Sequence, residues 1–96
     1  MSKHPSAESK RLREQLKSTQ IAFLLTDLQI GITFAKMAME SSKEEIRTKT
    51  TRKARRAYDI VLRFLSTVGL KQAEEKEIGE ELASLKLVLQ SLGEAF

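Results

Sequence analysis

The 96-residue sequence has no cysteine, no tryptophan, one proline, one histidine and one tyrosine, and each shortage removes a class of chemistry. Without cysteine there is no disulfide, no thiolate nucleophile and no Cys-ligated zinc or iron–sulfur centre, a composition compatible with a reducing compartment. The one histidine, His4, precedes Pro5 in a segment expected to be a flexible tail (residues 1–8), a poor place to hold general-base geometry. No Glu-x-x-His pair can supply the ligands of a carboxylate-bridged di-metal site. A Gly-x-x-x-x-Gly-Lys phosphate loop is missing, as is a serine beside a recognisable base. The glutamates from Glu74 to Glu81 have no calcium-loop pattern around them, and their place in the first half of a helix suits its dipole. No catalytic, metal or cofactor-binding residue is therefore assigned, and the chain is read as a non-enzyme.

Long apolar runs are also missing. Ile21 to Met39 is interrupted by Thr26, Asp27, Gln29, Thr33 and Lys36, short of the near-continuous run of about 20 residues that a bilayer span needs. Charged residues follow Pro5 where a secretory signal would place its apolar region, so the expected compartment is the cytoplasm.

With its one proline at position 5 and only four glycines, the chain is rich instead in leucine, alanine, glutamate, lysine and arginine, all favourable in helices. Apolar spacing predicts an all-α, up-down-up three-helix bundle, one domain over 1–96, with helices at about 6–40, 42–68 and 71–92. The first helix carries two apolar seams. One reads Leu12, Leu16, Phe23, Ile30, Phe34, Met37 and the other Ile21, Leu25, Leu28, Ile32, Ala35, Met39, which predicts two packing partners. Met37 and Met39 are expected to fill gaps in the core.

Helix 2 is expected to open on overlapping capping boxes, Ser41-x-x-Glu44 and Ser42-x-x-Glu45, and to end at Val68 with a left-handed Gly69. Its stripe reads Ile46, Thr50, Ala54, Ala57, Val61, Phe64, Val68, flanked by Tyr58, Leu62 and Leu65. Helix 3 presents Ile78, Leu82, Leu85, Leu89 and Leu92, with Gly93 as its stop and Leu87 outside the stripe. Gly31-x-x-x-Ala35 and Gly79-x-x-x-Ala83 have the spacing of close helix approach, read here as ordinary packing.

Charge is the strongest irregularity. Residues 43–56 hold seven lysines and arginines against two glutamates, a net of +5, whereas residues 71–96 hold three lysines against six glutamates, a net of −3. The acidic start of helix 3 is expected level with Lys10, Arg11, Arg13 and Lys17 of helix 1, and Asp59 is expected to pair with Arg63 one turn later. Lys49, Arg52, Arg55, Arg56 and Arg63 lie opposite the apolar stripe of helix 2 and form the candidate contact surface for a partner or for nucleic acid.

Two functions follow from this inventory. The first is a helical bundle acting by protein–protein contact, including a homodimer through Ile21, Leu25, Leu28, Ile32 and Met39. The alternative is nucleic-acid binding through the basic face of helix 2.

Overall fold

The computed structural model describes residues 7–67 and 69–96, so the expected tail up to Ser6, with His4 and Pro5, and the stripe residue Val68 lie outside the described residues. Three helices account for most of the rest: α1 (Ala7–Glu40), α2 (Glu44–Leu65) and α3 (Gln72–Ser91). Short connections make neighbours antiparallel, giving the expected up-down-up bundle, and no strand occurs among the described residues. At 34 residues α1 is about 51 Å long. Residues 8–20 project beyond the bundle with every side chain exposed except Ser9 and Lys17, which are half-buried. The molecule accordingly measures 65 × 21 × 16 Å.

The core seam of α1 is Ile21, Leu24, Leu28, Gly31, Ala35 and Ala38, alternating three and four residues as in a left-handed bundle. The second expected seam supplies Ile21, Leu28 and Ala35 of it, and the first supplies none. In the first, Leu12, Leu16, Phe23, Ile30 and Met37 are exposed and Phe34 is half-buried; in the second, Leu25 and Ile32 only flank the core and Met39 is exposed. The methionines therefore fill no core gap. Small residues explain the difference: Gly31, Ala35 and Ala38 add little apolar weight to a pattern, yet they let α2 approach closely. A Cβ on Gly31 would lie 3.0 Å from Ala57 Cβ and 3.0 Å from Leu85 Cδ2, so Gly31 marks the point where all three helices meet. The Gly31-x-x-x-Ala35 spacing is thus a packing device, whereas a Cβ on Gly79 would meet nothing within 4 Å.

On α2 the buried residues are Thr50, Ala54, Tyr58 and Val61, while Ile46 and Phe64 of the expected stripe and Leu62 on its flank are exposed. Thr50 is tolerated inside because its hydroxyl donates to the Ile46 carbonyl at 2.7 Å. On α3 Ile78, Leu82, Leu85 and Leu89 are buried as the spacing predicted, Leu92 packs against them, and Leu87 faces outward.

The helix ends follow local chemistry. Gly93 adopts φ +96°, its N–H donates to the Gln90 carbonyl and the Glu94 N–H to the Leu89 carbonyl, each at 3.0 Å, closing α3 with the paired bonds of a Schellman motif. Gly69 plays no such part. Helix α2 already ends at Leu65, where the Ser66 and Thr67 hydroxyls turn back onto the Arg63 and Phe64 carbonyls at 2.8 and 2.9 Å and compete with the helical ladder.

The capping boxes on Ser41 and Ser42 are likewise replaced. The α2 N-cap is Lys43, whose N–H donates to the Ser41 hydroxyl at 3.2 Å inside the turn. At α3 the Glu74 carboxylate accepts the Lys71 N–H at 2.9 Å, the carboxylate half of a box whose other half a lysine ammonium cannot supply. Lys17 Nζ comes within 4.0 Å of where a Gly69 Cβ would lie, but among the described residues no ion pair joins the basic start of α1 to the acidic start of α3.

Candidate interaction surfaces

The 22-residue α2 carries seven basic side chains, and Lys49, Arg52, Arg56 and Arg63 among them recur at helical intervals along one outer face. Four of the five residues assigned to it, Lys49, Arg52, Arg56 and Arg63, are exposed. Arg55 is not free. Its Nε donates to both oxygens of Asp59 at 3.1 and 3.3 Å, its Nη1 donates to the Ala95 carbonyl at 2.6 Å and lies 3.8 Å from Glu94, and its guanidinium stacks 3.9 Å from the Phe96 ring centroid. Asp59 therefore pairs with the arginine one turn before it rather than with Arg63. The reason is preorganisation, since Arg55 is already held in place by the segment that follows α3.

That segment forms a clasp. The left-handed Gly93 turns residues 94–96 back across α2, where Phe96 meets Tyr58 edge-on at 5.0 Å and also receives Lys86 Nζ at 5.3 Å. An aromatic pair and a stacked arginine are each worth about 1 kcal/mol. Phe96→Ala is therefore expected to lower the unfolding free energy by about 1–2 kcal/mol, and Arg55→Ala to add little once Phe96 is gone; urea denaturation of the two single variants and the double variant checks both statements.

Between the clasp and the rest of α2 lies an open groove of about 840 Å³, lined along α2 by Glu44 at its start and by Arg47, Thr48, Thr51, Arg52, Arg56, Asp59 and Arg63, and walled on the far side by Leu92 and Glu94. Lys49 falls outside it, in a shallower depression with Glu44 and Glu45. Arg47, which is not among the five assigned residues, also lines the groove.

The second surface is apolar. Leu12, Leu16, Phe23, Ile30 and Met37 stand 45–65% exposed along α1, and from Leu16 onward they recur every seven residues. Thr19, Thr26 and Thr33 alternate with them. The Thr19 and Thr33 hydroxyls donate to the Gln15 and Gln29 carbonyls at 2.9 Å, so covering this face would strand neither of them, whereas the Thr26 hydroxyl makes no such bond among the described residues. The residues assigned to self-association lie elsewhere: Ile21 and Leu28 are buried in the chain's own core, Leu25 and Ile32 pack against it, and Met39 is exposed with its sulfur accepting the Ser91 hydroxyl at 3.7 Å.

No family model, curated protein or solved structure matches this chain. Its surfaces have to be read from their own chemistry. Among the described residues α1 is also the one helix long and apolar enough, by length and composition, to cross a membrane, which the sequence reading did not expect. One third of its apolar window is buried inside the protein, where Leu24, Leu28 and Ala35 face α2 and α3. No group of three or more histidine, aspartate or glutamate side chains able to hold a metal ion occurs among the described residues.

Proposed function

We propose that this chain is a non-enzymatic helical module that acts by protein–protein contact, assembling as an antiparallel homodimer through α1. The observation that carries the reading is the exposed stripe of Leu16, Phe23, Ile30 and Met37 at seven-residue intervals, a helix-pairing period on a face that the chain's own helices leave uncovered.

A second copy suits this stripe because the stripe is self-complementary. Laid antiparallel about a two-fold axis, Leu16 meets the partner's Thr33, Phe23 the partner's Thr26, Ile30 the partner's Thr19 and Met37 the partner's Leu12. Three of the four layers then pair one large side chain with one small one. A parallel pair would crowd phenylalanine on phenylalanine and leave thin layers of threonine on threonine, which packs less evenly. The antiparallel alignment also opposes no like charges: Gln15 faces the partner's Lys36 and Gln20 the partner's Asp27.

Light scattering after size exclusion is expected to give twice the chain mass at micromolar to millimolar protein, and Phe23→Glu with Ile30→Glu is expected to give a monomer of unchanged helicity. Because the chain has no cysteine, introduced thiols report orientation cleanly. Leu16→Cys mixed with Thr33→Cys should cross-link, and Leu16→Cys alone should not. A monomer at all concentrations overturns the reading, and cross-linking of Leu16→Cys alone overturns the antiparallel register.

A further inference from the structure

The basic groove of α2 holds more cations than its own carboxylates balance, five arginines against Glu44, Asp59 and Glu94. Residues 43–65 carry eight lysines and arginines against three carboxylates, a net of +5 in a chain whose total is +4. Of the groove's carboxylates, Asp59 and Glu94 are both engaged by Arg55, and Glu44, at the start of the helix, forms no ion pair among the described residues. Arg47, Arg52, Arg56 and Arg63 have no carboxylate within ion-pair distance among the described residues. Solubility alone does not call for this arrangement. Lys43 and Arg47, Lys49 and Lys53, and Arg52 and Arg56 are like-charged pairs four residues apart, each of which opposes the helix, and a surface of mixed sign would dissolve as well. Of these pairs Arg52 and Arg56 line the groove, and a polyanion bound there would offset their repulsion.

The threonines point the same way. Thr19, Thr33 and Thr50 return their hydroxyls to their own helix, whereas Thr48 and Thr51, which line the groove, make no hydrogen bond among the described residues and keep their donors available. Guanidiniums interleaved with free hydroxyls are the donor set that phosphate oxygens accept from. From Arg47 to Arg63 the array runs about 24 Å, long enough to follow several phosphates of a duplex that carries about one charge per 1.7 Å of its axis.

We infer that the α2 groove binds the phosphate backbone of duplex nucleic acid without reading its sequence. A single strand is disfavoured because no aromatic side chain lines the groove for base stacking, Tyr58 and Phe96 being engaged with each other. A lipid surface is disfavoured because the apolar lining residues, Ile60 and Leu92, are half-buried and offer no exposed anchor.

Fluorescence anisotropy with a labelled mixed-sequence DNA duplex tests the inference. Four neutralised phosphates predict an affinity loss of roughly a hundred-fold between about 50 and 200 mM salt. Arg52→Glu with Arg56→Glu is expected to lower affinity at low salt by about tenfold or more, and Arg52→Gln with Arg56→Gln by a smaller factor in the same direction, circular dichroism showing that the variants are folded. Lys10→Glu with Lys17→Glu changes net charge by the same amount away from the groove and is expected to change affinity by less than about threefold. Absence of duplex binding at low salt, equal loss in both charge-reversed variants, or tighter binding to single strands or phosphatidylserine vesicles than to duplex would each overturn it.

Discussion

Gly31→Leu is expected to destabilise the bundle by about 3 kcal/mol, the upper end of the usual cost of overpacking a filled core. Position 31 has room for a hydrogen and nothing larger without adjustment, because Ala57 Cβ and Leu85 Cδ2 both lie 3.0 Å from the site of its missing Cβ. Ala57 is fixed to the α2 backbone and cannot turn aside, so a four-carbon side chain must push the helices apart. The matched control is Gly79, exposed in the interior of α3 with open space around it. There the gain in helix propensity stands unopposed, and Gly79→Ala is expected to raise stability by up to about 1 kcal/mol. Two glycines in the same four-residue spacing thus respond with opposite signs. Urea midpoints measure both, and a wild-type midpoint for Gly31→Leu would show that α1 and α2 do not approach as described.

Leu85→Ala is expected to cost about 2–5 kcal/mol, a large share of the roughly 5–15 kcal/mol that a domain of this kind has in total. Leu85 is fully buried on α3 and reaches the same three-helix junction that Gly31 occupies. The two sites are therefore coupled: the cavity left by Leu85→Ala admits the methyl of Gly31→Ala. The double variant should be less destabilised than the two single changes added together, by about 0.5 kcal/mol or more. Strict additivity in denaturation would place Leu85 away from Gly31 and refute the junction.

The legible parts of this fold are those where one residue type answers to one local rule. Gly93 follows the last periodic leucine of α3 and takes the left-handed turn that a glycine permits. Ile78, Leu82, Leu85 and Leu89 are large, regularly spaced and alone on their helix as an apolar stripe, so there was one face for them to bury. Where two local solutions competed, spacing misled. Ser41 and Ser42 each satisfied a capping pattern, but Lys43 became the cap because Ser41 was used inside the turn. Gly69 satisfied a helix-stop pattern, but α2 had already ended at Leu65, with the Ser66 and Thr67 hydroxyls bonded to the Arg63 and Phe64 carbonyls. Asp59 had arginines on both sides at helical distance, and a clasp built by residues 94–96, distant in sequence, decided between them. The candidate surfaces shared that fate. The basic face was visible as charge, but its groove, and the withdrawal of Arg55 from it, depend on where the end of α3 comes to lie.

By itself the amino-acid sequence determined that the chain is helical, that it has three helices in an up-down-up order, that α3 buries its leucines and that α2 is basic on its outer side. These properties follow from propensity, periodicity and charge, which act within one helix at a time. Only the tertiary structure decided which apolar rows of α1 face inward. Leu16, Phe23, Ile30 and Met37 are more apolar than Gly31, Ala35 and Ala38, yet the small residues are buried and the large ones exposed. Burial is set by the volume that neighbouring helices leave available, and at the α1–α2 crossing that volume fits a glycine and alanines.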